Sequence, residues 1–447
     1  MSYNHLRQLS LTLIALFLAV IPLMGQKVSV RNFGDILDFA YTQSDEKQLW
    51  ELQRLQEESS QRESKSELLP RLRAYGNWDN YLELPVQLLP SESVGGEPGT
   101  FTEIRFGTKY QVNLGLEFSI PLVDLELWNR IKTDRLKYEV AKEDISSQEH
   151  AWVEQLARSY YLLLLHKESL ELAKNRYVLS DSIYRLAKAK FEIGELEPLP
   201  FHRIEASARS AKNQVFNQEK QVKTALNSLN RLIGADQTSE FEFLDQLADQ
   251  QPEILTADYD LEQLPEWKMA QHRVDLNEQA LKQSRTSHLP TLMATGSFYQ
   301  QTLGNQLNLQ DASSFEVGVW GLRLEWDIFQ GGKQKTKTKT AALDYQIAQK
   351  QLEVTRQALV QEKLDLEAEI VHNQALATGF LPLLSVYESN YRLAGIQWAE
   401  GFIPVDELLQ VENEWIDQQL DYLLALSELA TSKALVSIRN HSYSQQP

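Results

Sequence analysis

The spacing of hydrophobic and polar positions changes several times along this chain. Between Gly296 and Thr340, Trp320, Leu322, Leu324, Trp326 and Ile328 alternate with Gly321, Arg323, Glu325 and Asp327. A period of two puts the apolar side chains on one face of a strand and the charges on the other. The pattern stops at Gln330-Gly331-Gly332, where a lysine run opens a helical pattern that lasts for tens of residues. Leu116, Phe118, Ile120 and Leu122 repeat the alternation earlier in the chain. Elsewhere apolar residues recur every three or four positions, as in Trp152, Leu156, Tyr160 and Leu163, which is the spacing of a seam between helices.

The whole pattern occurs twice. Pro70, Leu72, Ala74, Gly76 and Trp78 answer to Pro290, Leu292, Ala294, Gly296 and Phe298 at a constant offset of 220 residues. Phe191–Ala206 parallels Trp398–Asn413, with an aromatic-x-x-Gly at Gly194 and Gly401 and with Glu205 matching Glu412, all at an offset of 207. An internal duplication accounts for these matches in one order. The expected organisation is a signal peptide (1–25), a first repeat (26–235), a linker (236–262), a second repeat (263–438) and a tail (439–447).

Each repeat reads as a helix, two strands, a very long helix and a returning helix. The leading helices are expected over about 33–67 and 263–288, and the strands over about 71–82, 109–123, 291–301 and 315–329. The long runs cover about 125–192 and 333–399, and the returns about 200–233 and 404–438. A run of some 65 residues makes a helix roughly 100 Å long. Gly194 and Gly401 allow a tight reversal, and Pro198, Pro200 and Pro404 suit a helix restarting after it. Pro382, inside the second long run, is expected to kink it.

Composition narrows the setting. The chain has 447 residues, with 44 Lys+Arg against 62 Asp+Glu for a formal charge of −18, and no cysteine. That balance argues against nucleic acid as a partner, and the absence of Cys excludes disulfides and thiolate chemistry. The apolar run Leu11–Met24 has the length of a signal-peptide core and is short of the roughly 20 residues a spanning helix needs. No catalytic constellation is present: HExxH, GxxxxGK[ST], GxSxG and GxGxxG are all missing. Neither an enzyme nor a cofactor nor a metal site is expected.

The strands are long enough to cross a bilayer at a tilt, and aromatics such as Trp78, Phe118, Phe298, Trp320 and Trp326 fall where interface belts lie. A soluble sheet with one buried face has the same alternation. Four strands cannot close a membrane barrel, which needs at least about eight. Strands in lipid would therefore have to be pooled from two or three chains.

In this order, Leu264–Leu292, the WDIFQGG strand end, Phe380–Tyr387, and the two aromatic-x-x-Gly turns followed by Val405–Trp415 resemble the TolC-type outer-membrane efflux proteins. The resemblance covers almost the whole mature chain. It implies a mainly α protein with a small β part: long coiled-coil helices forming a periplasmic tunnel, and four antiparallel transmembrane strands per chain in a shared barrel. It further implies a homotrimer in the outer membrane of a Gram-negative bacterium, working with a periplasmic adaptor and an inner-membrane transporter. The implied function is the passive exit duct of a tripartite efflux or type I secretion system. A periplasmic adaptor or a coiled-coil scaffold is the alternative from another class.

The family places a narrow entrance at the second turn, with a Tyr three residues before the Gly, a basic residue two after it and acids six and nine after it. Those positions hold Trp398, Ile403, Glu407 and Gln410 here, with Asp406 beside the one acid retained. The basic partner of an ion-pair lock is missing from its expected place. Gly194, Glu195, Gly401, Phe402 and Pro404 are the expected adaptor-docking turns. Arg130, Lys132, Lys333, Lys335 and Lys337 follow the strands, where cations can reach anionic headgroups. Asn113, Glu117, Arg323 and Glu325 are the expected lumen residues.

Overall fold

A computed structural model describes residues 28–95, 97–235, 241–249, 257–307 and 312–440. The segment read as a signal peptide lies outside the described residues. In chain order the elements are β1 (Val28–Val30), α1 (Phe33–Gln43), α2 (Asp45–Ser66), β2 (Arg71–Asn80), β3 (Val86–Pro90), β4 (Phe101–Arg105) and β5 (Tyr110–Val123). They continue with α3 (Leu125–Glu192), α4 (Pro198–Leu232), β6 (Phe241–Phe243), α5 (Pro265–Thr286), β7 (Thr291–Gly304), β8 (Ser313–Glu325), α6 (Lys333–Glu400) and α7 (Val405–Asn440). The described residues fall into two compact units, one within 28–52, 145–265 and 356–440, the other within 53–144 and 266–355. The long helices α3 and α6, 68 residues each, contribute to both.

The second unit holds a four-stranded antiparallel sheet in the order β2-β5-β7-β8. Its register joins the alternating rows of all four strands. Leu72 stands opposite Phe118, Phe118 opposite Gly296, and Gly296 opposite Trp320; the next rung is Ala74, Leu116, Phe298 and Gly318. One face is thus apolar. The other carries Arg73, Glu117 and Ser297 on one rung and Asn77, Asn113 and Gln301 on another. The fourth strand departs from this rule, since β8 sets Phe315, Val317 and Val319 on the polar face.

The sheet is inside out by the standard of a soluble protein. On β5 the apolar Leu114, Leu116 and Phe118 are exposed, while the polar-face Gln111, Asn113, Glu117 and Ser119 are half-buried. On β8, Trp320 is 79% exposed. A soluble sheet covers its apolar face and wets the other.

The structure departs locally from the sequence reading, and two of the departures have an identifiable cause. The leading helix of the first repeat breaks at Ser44, whose extended backbone leaves α1 and whose Oγ accepts from Glu46 N at 3.1 Å, capping α2. Strand β8 ends at Glu325 rather than near residue 329, because its partner β7 begins at Thr291, directly after Pro290. Trp326 instead donates its indole N–H to the His288 carbonyl at 3.0 Å. The loop after β2 contains a further hairpin, β3-β4. The linker contributes β6, which pairs in parallel with β1. Helix α6 remains helical through Pro382.

The first unit is a helical core. Trp152, Leu156, Tyr160 and Leu163 are all buried on α3. Trp152 packs edge-on against Trp50 (5.5 Å) and Tyr41 (5.7 Å), and Tyr160 packs on Phe33 (5.8 Å). The linker is fastened to this core: Tyr160 donates to Asp245 Oδ2 at 2.8 Å and Lys167 to the Phe243 carbonyl at 3.0 Å. Burial pushes the neighbouring Tyr161 phenol up to about 12.

Candidate functional site

The duplicated glycine turns close two helical hairpins, α3-α4 and α6-α7. Both turns are built identically. Gly194 (φ 80°) donates to Phe191 O at 3.0 Å and Glu195 to Lys190 O at 2.8 Å. Gly401 (φ 86°) donates to Trp398 O at 3.0 Å and Phe402 to Gln397 O at 2.8 Å. These are paired Schellman closures, in which a left-handed residue lets two late amides satisfy the last free carbonyls of a helix. Pro198 then opens α4, and Pro404 directly precedes α7. The tips present Phe402 (75% exposed), Ile193 and Leu199 to solvent, with Glu195 exposed beside them.

Behind the turns the two hairpins share a core of Ala187, Phe201, Ile204, Tyr391, Ala394, Trp398, Val405 and Leu408. Phe191 stacks on Phe201 at 4.5 Å, and Tyr391 on Trp415 at 4.9 Å. Trp398 is only 6% exposed. Lys190 lies over its ring, 5.6 Å from the centroid, and donates to the Ala399 carbonyl. Trp398 therefore supports the tips from within this core.

Charge joins the tips as well. Arg203 on α4 pairs with Asp406 on α7. No local spacing could announce this partner of Asp406, which lies 203 residues away. Glu407 is exposed, and Gln410 is exposed and donates to Glu414 at 2.9 Å. Deeper in, Glu412 is 2% exposed, accepting from Ser180 Oγ at 2.8 Å and pairing with Arg176 at 3.3 Å. Its counterpart Glu205 is half-buried and is held below the usual carboxylate range by hydrogen bonds from Arg209 and then His202. The two turns share their geometry and differ in the charges behind them.

Three comparisons with known proteins bear on this arrangement. Residues 85–235 and 259–438 match the model of the outer membrane efflux protein family. The chain belongs to that family. Among curated proteins, the alkaline protease secretion protein AprF of Pseudomonas aeruginosa is 25% identical over 253 residues, covering 54% of this chain and 51% of that one. The chain spans about half the length of the curated relatives it matches. Among solved structures, CusC aligns with a TM-score of 0.72 at 17% identity, over 92% of this chain and 93% of that one. The CmeC outer membrane channel of Campylobacter jejuni aligns with a TM-score of 0.73 at 15% identity, over 92% of this chain and 85% of that one. At such identities the likeness is one of fold: long helices with a small β part.

In this efflux-family chain the basic residues after the strands have different surroundings. Arg130 pairs with Glu67, and Lys337 lies 3.5 Å from Glu126. Lys132, Lys333 and Lys335 are exposed and make no ion pair among the described residues. Just before them Ile328 and Phe329 are exposed, beside Trp326. Asn113, Glu117, Arg323 and Glu325 share the polar face of the sheet, where Arg73 pairs with Glu117. Among the described residues no cluster of His, Cys, Asp and Glu is arranged to hold a metal, and no helix is long and apolar enough to cross a membrane.

Proposed function

We propose that this chain is one third of an outer-membrane exit duct, passively conducting solute that an inner-membrane pump delivers through a periplasmic adaptor. The observation that carries the reading is the inside-out sheet. An exposed apolar face is costly in water and favourable in lipid. The outer strands β2 and β8 also leave their free edges unpaired, which lipid does not tolerate. Pairing β8 of one copy with β2 of the next satisfies both requirements, and three copies supply twelve strands. The exposed pairs Leu179 and Leu186 on α3 and Ile347 and Val354 on α6 are each spaced by seven residues. They fit helix seams between copies.

The hairpin tips are the entrance on this reading. Asp406 and Glu407 line it, Trp398 braces it from behind, Gln410 stands on the same helix, and Gly194, Glu195, Gly401, Phe402 and Pro404 form the adaptor-facing rim. Arg130, Lys132, Lys333, Lys335 and Lys337 lie near the inner headgroups.

The deciding experiment is the detergent-corrected mass of the extracted protein, measured together with its membrane fraction. A trimer in the outer-membrane fraction is expected. A soluble monomer or dimer would refute the duct.

A further inference from the structure

The first unit holds a cavity of about 520 Å³ beside β6. Leu164 and Leu172 of α3, Val222 of α4, Phe243 of β6 and Leu423 of α7 give it an apolar wall. Sites for small ligands are commonly of this kind: about 300–1,000 Å³, mostly apolar with a few polar groups, and often set between helices. Among the described residues, the amides of Asn175 and Gln419 and the hydroxyl of Tyr422 line the cavity without a hydrogen-bond partner. Lys167, Glu168, Glu171 and Asp245 are its charged groups.

These charges are unequal in number and in how they are held. Lys167 is already engaged: it donates to the Phe243 carbonyl at 3.0 Å and lies over the same residue's ring, 5.2 Å from the centroid. Burial pulls its ammonium below the ordinary value, and Glu168, Asp245, Glu171 and Glu242 oppose that shift. Glu171 pairs with Lys174 at 2.8 Å. Counting Lys174, four carboxylates stand against two ammonium groups, so the formal charge around the cavity is −4 + 2 = −2. An anion would enter against that field and a cation with it. Burial, and then Glu168, push the Tyr422 phenol up, which keeps its hydroxyl proton available to donate.

We propose that this cavity binds a small amphipathic cation, with its apolar body against Leu164, Leu172 and Leu423 and its charge toward Glu168, Glu171 and Asp245. Asn175, Gln419 and Tyr422 supply hydrogen bonds to its polar groups. The site draws on α3 and α7, one helix from each hairpin, so an occupant bridges the two and stabilises the folded chain by mass action. It uses no residue of the sheet or of the glycine turns, and it stands whether or not the duct reading does.

Ethidium, an aromatic cation whose fluorescence rises on leaving water, is a suitable probe, with anilinonaphthalene sulfonate as an aromatic anion for comparison. Both would be titrated into the full chain in a non-ionic detergent, above a blank of the detergent alone. Ethidium should bind saturably, one per chain, and raise the melting temperature; the sulfonate should bind more weakly. Val222→Trp, which fills the cavity, should weaken ethidium about tenfold or more. Gln419→Trp serves the same purpose if Val222→Trp fails to fold. Glu171→Lys, at an exposed position, should weaken ethidium and strengthen the sulfonate. Ethidium binding that is unchanged by either Trp variant, or absent from a chain that melts cooperatively, would overturn the site. Tighter binding of the sulfonate than of ethidium by the wild type would overturn the cationic class of ligand.

Discussion

Gly115 and Gly296 sit on adjacent strands, and a methyl group would do different things at each. At Gly296 it would come 2.1 Å from Phe118 Cε1, the far end of a side chain that can swing away. At Gly115 its neighbours include backbone of the next strand. Overpacking costs about 1–3 kcal/mol, and the rigid neighbour should place Gly115→Ala at the upper end. Thermal unfolding of the detergent-extracted protein should therefore fall further for Gly115→Ala than for Gly296→Ala. Phe118→Leu should restore the second but not the first. Equal losses, or rescue of both, would contradict this geometry. Glu154 offers a test by pH. Burial raises its carboxyl above the ordinary range, and Arg439, with Nε 2.7 Å away, pulls it part of the way back. The folded protein then holds this proton more tightly than the unfolded chain. The resulting stabilisation is full below the ordinary value of 4.5 and is lost as pH rises through the higher folded value. Relative to Glu154→Gln, the wild type should lose thermal stability as pH rises through the interval above the ordinary value of 4.5. A constant difference across that interval would count against it.

At the scale of the element, α6 begins against its own dipole. Lys333, Lys335, Lys337 and Lys339 occupy its first turns, and no acidic residue stands in the first turn. Cations at a helix N-terminus are unfavourable by about 0.3–1 kcal/mol each when exposed. Replacing the four with Gln should raise the melting point in neutral detergent and lower it in anionic lipid vesicles, where the headgroups are lost as partners. A rise in both media would remove lipid from the account. The glycine turns illustrate how local code survives duplication. Gly194 and Gly401 close their helices with the same pair of hydrogen bonds, although the residues after them differ.

At the scale of the molecule, the Arg203–Asp406 pair holds two hairpins together at the tips. If it restrains the entrance, Arg203→Ala and Asp406→Ala should each raise single-channel conductance in planar bilayers. The double variant should do no more than either, since partners in one contact are not additive. An additive response would show that the two residues act separately.

The sequence alone determined what is periodic and local. Helical seams, alternating strands and glycine turns depend on residues within a few positions of one another, and the duplication repeated each signal. The bounds of α3 were legible in this way, as were the reversals at Gly194 and Gly401. Tertiary structure decided everything that depends on a distant partner. It ended β8 at Glu325, because β7 starts after Pro290 and offers Trp326 nothing to pair with. It drew Trp398 into a core formed by both hairpins, and it supplied Asp406 with a cation from 203 residues earlier. The strand register also decided which rows share a face, leaving the apolar one uncovered. Alternation fixes that a strand has two faces, but pairing across strands determines which of them a sheet turns outward.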